Sequence, residues 1–268
     1  MRKKMRKKNV LVIVLTALIF LSVAVLGVST VYRVNTVAVR APVVSEMAKT
    51  EAEQLQEKLT AAYDKQSIFS ANDELAKEIV SQFPYFNITG FEKKYPNRIV
   101  VEITEAAEFY ACPNESGSYY ILSLGGAVLE IRSDYKNRAD GADNLLIEGL
   151  TATGEKGEAL SGDGCLSTLF PFLEKVSEAL GGIRRNILSV KVLRPASSEE
   201  ETVFKLTTRE GVNIYVRNPS VLTDQKAELA VAQYVALSTG QKLKGMLMVS
   251  DVSGEIVYDY HQKDTIGG

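Results

Sequence analysis

The chain has 268 residues, 46% of them hydrophobic, with 31 Lys and Arg against 33 Asp and Glu. Six of the basic residues (Arg2, Lys3, Lys4, Arg6, Lys7 and Lys8) and none of the acids precede Arg33. The remainder therefore holds 25 basic and 33 acidic side chains, a formal charge of −8. That balance argues against a nucleic-acid binder, which needs a basic footprint, and against a body lying flat on an anionic membrane.

Nineteen residues from Val10 to Val28 carry no charge, and the apolar stretch extends to Tyr32. As a helix it is long enough to cross the roughly 30 Å hydrocarbon core of a bilayer. The basic cluster before it places the amino end in the cytoplasm and exports the chain beyond Arg33. A cleaved signal peptide is the competing reading, but its apolar region usually runs about 7–15 residues to a small-residue cleavage site. Val28-Ser29-Thr30-Val31-Tyr32 has no A-x-A pattern. The expectation is a cytoplasmic tail over 1–9 and an uncleaved anchor over 10–32.

Beyond the anchor, Thr36–Val39 alternates as a short strand. Ser45 opens a helical pattern carrying Ala48, Ala52, Leu55, Leu59 and Ala62 at spacings of three and four. A second helix starts near Ser70 or Asn72, with Leu75, Ala76, Ile79, Val80 and Phe83 on its inner face, and Pro84 stops it. Strands over 86–94 and 98–105 come next, joined by Tyr95-Pro96-Asn97. This order makes a small α+β domain over 35–105.

After Ala106 come short β segments broken by turns. Strands over 119–124 and 127–131 flank Gly125-Gly126. A polar stretch from Asp134 to Gly164 holds one apolar island, Leu145-Leu146-Ile147. A helix over 164–180 ends at Gly181-Gly182. Strands over 187–193, 202–208 and 212–217, a helix over 221–238, and a closing hairpin over 245–250 and 254–260 complete a larger mixed β domain with flanking helices (106–260). Residues 261–268 read as a tail, and Ser197-Ser198-Glu199-Glu200-Glu201 as a solvated turn.

Catalytic chemistry finds little to work with. Nucleophilic catalysis of the Ser-His-Asp or Cys-His kind needs an imidazole, and the single histidine, His261, falls in the expected tail. No cysteine, histidine or acidic cluster has zinc-ligand spacing, and no G-K-[ST] comes after the glycines at 154–164. No catalytic residue, metal or cofactor is expected. Cys112 and Cys165, the only cysteines, read either as buried free thiols or as one disulfide permitted by export.

Phe83-Pro84-Tyr85-Phe86 and the run from Lys94-Tyr95-Pro96-Asn97-Arg98 to Glu105 resemble the FtsQ/DivIB family of bacterial cell-division proteins. Ile68-Phe69 is similar to an apolar pair between the family's two POTRA helices. Tyr119 to Val128 resembles its β-domain strand–turn–strand, with Ser123 where an aspartate is usual, and Leu145–Leu150 its apolar-then-glycine segment. The family's arginine-proline feature is replaced by Glu105-Ala106-Ala107-Glu108.

The resemblance implies one transmembrane helix, a POTRA domain (β-α-α-β-β), a β domain, and a non-catalytic scaffold at the division septum. It implies partners among divisome membrane proteins: FtsL/DivIC- and FtsB-like coiled coils, and the septal transpeptidase with its own partner. The family's contact near the last β strands maps here to Met246, Leu247, Met248, Val249, Ser250, Ile256, Val257 and Tyr258, where a partner segment adds to an exposed edge. Proline at Val249 is expected to weaken that contact. The alternative is a membrane-tethered extracytoplasmic cell-wall enzyme.

Overall fold

A computed structural model describes residues 2–42, 45–194 and 201–266, and divides the chain into two compact units, Met1–Glu105 and Ala106–Gly268. The expected turn at Ser197–Glu201 lies outside the described residues except for Glu201, whose carboxylate meets Arg217 Nε at 3.0 Å.

The first unit begins with helix α1 (Arg2–Val31). Its Val12–Val31 segment is long and apolar enough, by length and composition, to cross a membrane. The chain then joins a three-stranded sheet, β1 (Thr36–Arg40), β2 (Phe86–Lys94) and β3 (Arg98–Glu105), in the order β1-β3-β2. Strand β1 runs parallel to β3, and β2 antiparallel to it. Parallel pairing of β1 with β3 requires a long crossover; helices α2 (Glu46–Tyr63) and α3 (Asp73–Val80) lie within it.

Both helices start where the sequence places caps. Ser45 Oγ accepts from the Ala48 N–H at 3.1 Å, and Asn72 Oδ1 from the Leu75 N–H at 3.5 Å. Ser45 also donates from Oγ and N–H to the Glu105 carboxylate, at 2.8 and 3.2 Å, tying the start of α2 to the end of β3. The apolar stripe Ala48, Leu55, Leu59 and Tyr63 closes on Val37, Ile99, Val101 and Ile103, all within one buried cluster. Tyr63 ionises only at about 12, because burial disfavours the phenolate.

In the second unit a single sheet of nine strands has the order β12-β11-β10-β9-β8-β7-β4-β5-β6. Its strands are β4 (Tyr110–Pro113), β5 (Tyr119–Leu122), β6 (Val128–Arg132), β7 (Leu145–Glu148), β8 (Ile187–Leu193), β9 (Val203–Thr208), β10 (Asn213–Arg217), β11 (Met246–Val252) and β12 (Glu255–His261). Helices α4 (Leu166–Leu180) and α6 (Thr223–Ala236) cover one face, and each leads into a short turn, α5 (Ile183–Asn186) and α7 (Thr239–Lys242). Leu169, Phe172, Leu173 and Val176 of α4 and Ala227, Ala230 and Tyr234 of α6 share a core with Ile147, Val190, Phe204, Ile214 and Leu247 from the strands.

Two elements differ from the expectation. Strand β4 is not signalled by any alternation, and the island Leu145–Ile147 becomes β7, held between β4 and β8 in parallel register. His261 is the last residue of β12 rather than part of a tail. Both cysteines are free. Burial raises the Cys112 thiol to about 11 and the Cys165 thiol to about 12, with Asp163 opposing ionisation of each.

The loop before α4 hangs on Asp163. Its carboxylate accepts from the Thr151 N–H at 3.0 Å and the Cys165 N–H at 3.1 Å, and from Arg194 Nη2 at 2.6 Å. Arg194 Nη1 also donates to the Gly149 carbonyl at 2.7 Å. Burial would raise this carboxyl, but the two backbone N–H groups and Arg194 outweigh it and hold it below the usual range. A lowered folded value contributes stability that is present above the ordinary pKa of about 4 and is lost as pH falls through the folded value. Because Arg194 is 41% exposed, solvent screens part of the pair. Asp163→Asn is expected to destabilise the protein by about 1–2 kcal/mol at neutral pH. In urea unfolding, the gap to wild type should narrow as pH is lowered below about 4.

Candidate partner-binding edge

Strand β11 reaches the sheet through a crossover. It lies parallel to β10, from Asn213 opposite Met246 to Val216 opposite Val249. The connection is α6, whose apolar face packs on the same side of the sheet as Leu247 and Val249. Gly245 takes φ +96 just before β11, and a Cβ there would stand 2.3 Å from the His261 carbonyl oxygen. Strands β11 and β12 pair antiparallel from Val252 opposite Glu255 to Met246 opposite His261. Their two-residue turn is Ser253-Gly254, with φ +54 and +85, the positive pair that a tight hairpin turn matching strand twist requires.

This arrangement divides the eight residues expected at a partner contact. Met246, Leu247 and Val249 are buried, and β11 pairs on both sides. Met248 and Ser250 are half-buried, Met248 packing beside Val203, Tyr215 and Met246 on the sheet face opposite the helices. The free edge belongs to β12. On it Val257 is 40% and Tyr258 54% exposed, while Ile256 and Tyr260 lean on the main core. Pairs in an antiparallel ladder alternate between exchanging both hydrogen bonds and exchanging none. Counted from the turn, Ile256, Tyr258 and Tyr260 are the residues whose N–H and C=O face away from β11. Proline at Val249 would break an interior strand and does not test the edge.

The opposite end of the sheet is treated differently. At the start of β6 the Val128 N–H donates to the Glu158 carbonyl and the Gly157 N–H to the Val128 carbonyl, each at 2.8 Å. The Leu160 N–H reaches the Gly126 carbonyl at 3.0 Å. The loop over 157–160 thus covers part of that edge.

Three side chains outside the expected set hold the hairpin in place. Lys226 is completely buried, and its ammonium donates to the carbonyls of Arg217 and Asn218 at 2.8 Å each and to Asp251 Oδ1 at 2.5 Å. It joins the end of β10, the start of α6 and the end of β11. Asp264, beyond β12, accepts from Asn213 Nδ2 at 2.7 Å and from the Tyr215 hydroxyl at 2.8 Å. Burial and this carboxylate push the Tyr215 phenol upward. Tyr260 donates to the Lys244 carbonyl at 3.0 Å. A signal for Lys226 exists in the sequence: it stands four residues before Ala230 and eight before Tyr234, on the stripe that becomes the buried face of α6.

Among the described residues no group of three or more His, Cys, Asp or Glu is placed to hold a metal ion. His261 Nε2 lies 3.1 Å from Asp259 on the exposed strand.

No protein-family model matches the chain, and no curated protein matches it either. A solved structure, the major extracytoplasmic domain of the trans isomer of the bacterial cell division protein DivIB from Geobacillus stearothermophilus, is 12% identical over 52% of this chain and 94% of its own, with a TM-score of 0.30. A likeness at that level does not establish a shared fold or activity.

Removing one partner from a buried ionic cluster leaves the others desolvated and unpaired, a cost of about 3–5 kcal/mol. Lys226→Met, which keeps the length of the stem, is expected to destabilise the protein by that amount in chemical unfolding. Asp251→Asn, at a position 22% exposed, is expected to cost less than half as much.

Proposed function

We propose that this protein is a non-catalytic scaffold of the bacterial divisome, anchored by α1, with an extracytoplasmic body that offers the β12 edge to a partner segment. The observation that carries this reading is the unequal treatment of the two sheet edges: one is partly covered by the chain's own loop, and along the other no described segment pairs, with Val257 and Tyr258 exposed. Soluble proteins ordinarily blunt such an edge, because its unpaired N–H and C=O groups recruit other strands. An extended segment adding there would gain main-chain hydrogen bonds, and Val257 and Tyr258 would supply side-chain contacts.

The element order supports the divisional setting. An apolar N-terminal helix, a β-α-α-β-β unit and a sheet domain closing on a hairpin match the architecture that Lys94–Glu105 and Ile68-Phe69 suggest by resemblance. The partners on this reading are the FtsL/DivIC- and FtsB-like coiled coils, with the septal transpeptidase and its partner in the same assembly. The protein sits at the division septum, amino end in the cytoplasm.

The test uses the full chain with an N-terminal fluorescent fusion in dividing cells. Recruitment to midcell is expected, together with capture of the host's division coiled-coil proteins from solubilised membranes. Tyr258→Pro removes an N–H that faces away from β11 and so spares the internal ladder. It should lower capture about tenfold, the equivalent of about 1.4 kcal/mol, while membrane insertion and far-UV circular dichroism stay unchanged. Uniform membrane fluorescence, with capture indifferent to Tyr258→Pro, would sink the proposal. Turnover of purified peptidoglycan by the same preparation would favour the tethered enzyme instead.

A further inference from the structure

The end of α1 does not leave the first unit on a free linker. Tyr32, the residue after the helix, accepts at its carbonyl from the Ile68 N–H at 2.9 Å, and the Val34 N–H donates to the Gln66 carbonyl at 2.8 Å. Arg33 and Ser67 form a β-bridge between these pairs. The Asn35 N–H reaches the Asn97 carbonyl at 2.9 Å, which brings in the turn between β2 and β3. Three segments, 32–36, 64–71 and 92–98, therefore meet where the apolar helix stops.

The side chains at that junction are out of place on a surface facing water. Ile68 is fully buried, but its neighbour Phe69 is 58% exposed and Tyr95 60% exposed. Tyr32 meets Phe69 in a tilted contact with ring centroids 5.0 Å apart, and Phe69 meets Tyr95 in another at 5.7 Å. The result is one aromatic run, half-buried at Tyr32 and exposed at Phe69 and Tyr95, that begins at the end of the apolar helix. Close in sequence stand Arg33, Lys65, Lys93, Lys94 and Arg98 with Asp64 and Glu92, of which Lys65 is paired with Asp64 at 3.5 Å and Lys94 with Glu92 at 3.2 Å. Lys93 Nζ donates to the Phe69 carbonyl at 3.3 Å, holding a cation beside the rings.

We infer that Tyr32, Phe69 and Tyr95 form a membrane-interface foot, by which the first unit rests its rings in the headgroup layer of the bilayer that α1 crosses. The occupant is a lipid surface because the patch is continuous with the spanning segment. Val31 ends the helix, and the next ring in sequence already packs against Phe69. Aromatic rings are enriched at that depth, where an apolar body meets a polar layer, and the flanking Lys and Arg suit lipid phosphates. The −8 charge of the exported part does not oppose this, since Lys93 is held beside the rings and salt screens distant charges beyond about 8–10 Å. The inference needs α1 to span the membrane and is independent of any role in division.

The chain has no tryptophan, so a single introduced one reports alone. The full chain is reconstituted in phosphatidylcholine vesicles whose acyl chains are brominated at shallow or deep positions. Phe20→Trp, within α1, marks the span, and Phe69→Trp and Tyr95→Trp mark the foot. Phe20→Trp should be quenched most by deep bromines. Phe69→Trp should lose at least half its emission to shallow bromines and little to deep ones, with weak quenching by aqueous iodide. Free quenching of Phe69→Trp by iodide, and none by either bromolipid, while Phe20→Trp is quenched, overturns the foot and leaves the anchor standing. Phe20→Trp escaping all bromolipid overturns both. Tyr95→Trp decides in the same terms if Phe69→Trp does not assemble in the membrane.

Discussion

An open β-sheet always has two edges, and what becomes of their unpaired backbone groups governs how such a domain behaves in company. In the second unit the parallel run of β4, β7 and β8 sits at the centre, buried as parallel strands generally are, and pairing spreads outward to β6 on one side and β12 on the other. At β6 a loop rich in Gly and Glu folds back and supplies hydrogen bonds of its own. At β12 no described segment does the same. The described part of the last segment bends across a face of the sheet instead, with Asp264 bound to Asn213 and Tyr215. An open rim is useful only if the strand that bears it cannot swing away. The buried ammonium of Lys226, the Ser253-Gly254 turn and the Tyr260 hydroxyl all restrain the hairpin.

Much of this architecture can be read in the residues. Helical spacing marks α2 and α3, the alternation of Ile99, Val101 and Ile103 marks β3, and the glycine pair after Leu180 marks the end of α4, because each signal is local. What escapes is what depends on distant partners. Tyr110–Pro113 has no alternation and ends in proline, yet it becomes β4 because β5 and β7 flank it. Leu145–Ile147 is visibly apolar, but its strand character comes from being pinned between β4 and β8. The same limit applies at the rim. The closing hairpin is legible, whereas the placement of β11 inside and β12 outermost is set by the crossover through α6 from β10, some thirty residues away in sequence. Of the eight residues expected at a contact, the exposed Val257 and Tyr258 thus lie on the free strand, and the buried Met246, Leu247 and Val249 support it from inside.

The two units solve related problems with different chemistry. In the first, a carboxylate at the end of β3, Glu105, is shared between the Ser45 hydroxyl and N–H, so a strand terminus is tied to a helix start. In the second, Asp163 gathers two N–H groups and a guanidinium to fix a loop before α4. Both devices tie irregular chain to regular elements through charged acceptors, whose hydrogen bonds are stronger than neutral ones.

The enclosure of Lys226 gives the molecule an internal clock. A lysine amine acylates readily in water, but one without solvent exposure and engaged by three acceptors can react only in the moments when the start of α6 parts from β10 and β11. The rate at which that single amine is modified, against the prompt labelling of surface lysines, counts how often the hairpin's support comes loose. The chemistry requires no probe to be installed, because a slow-reacting lysine already stands at the joint.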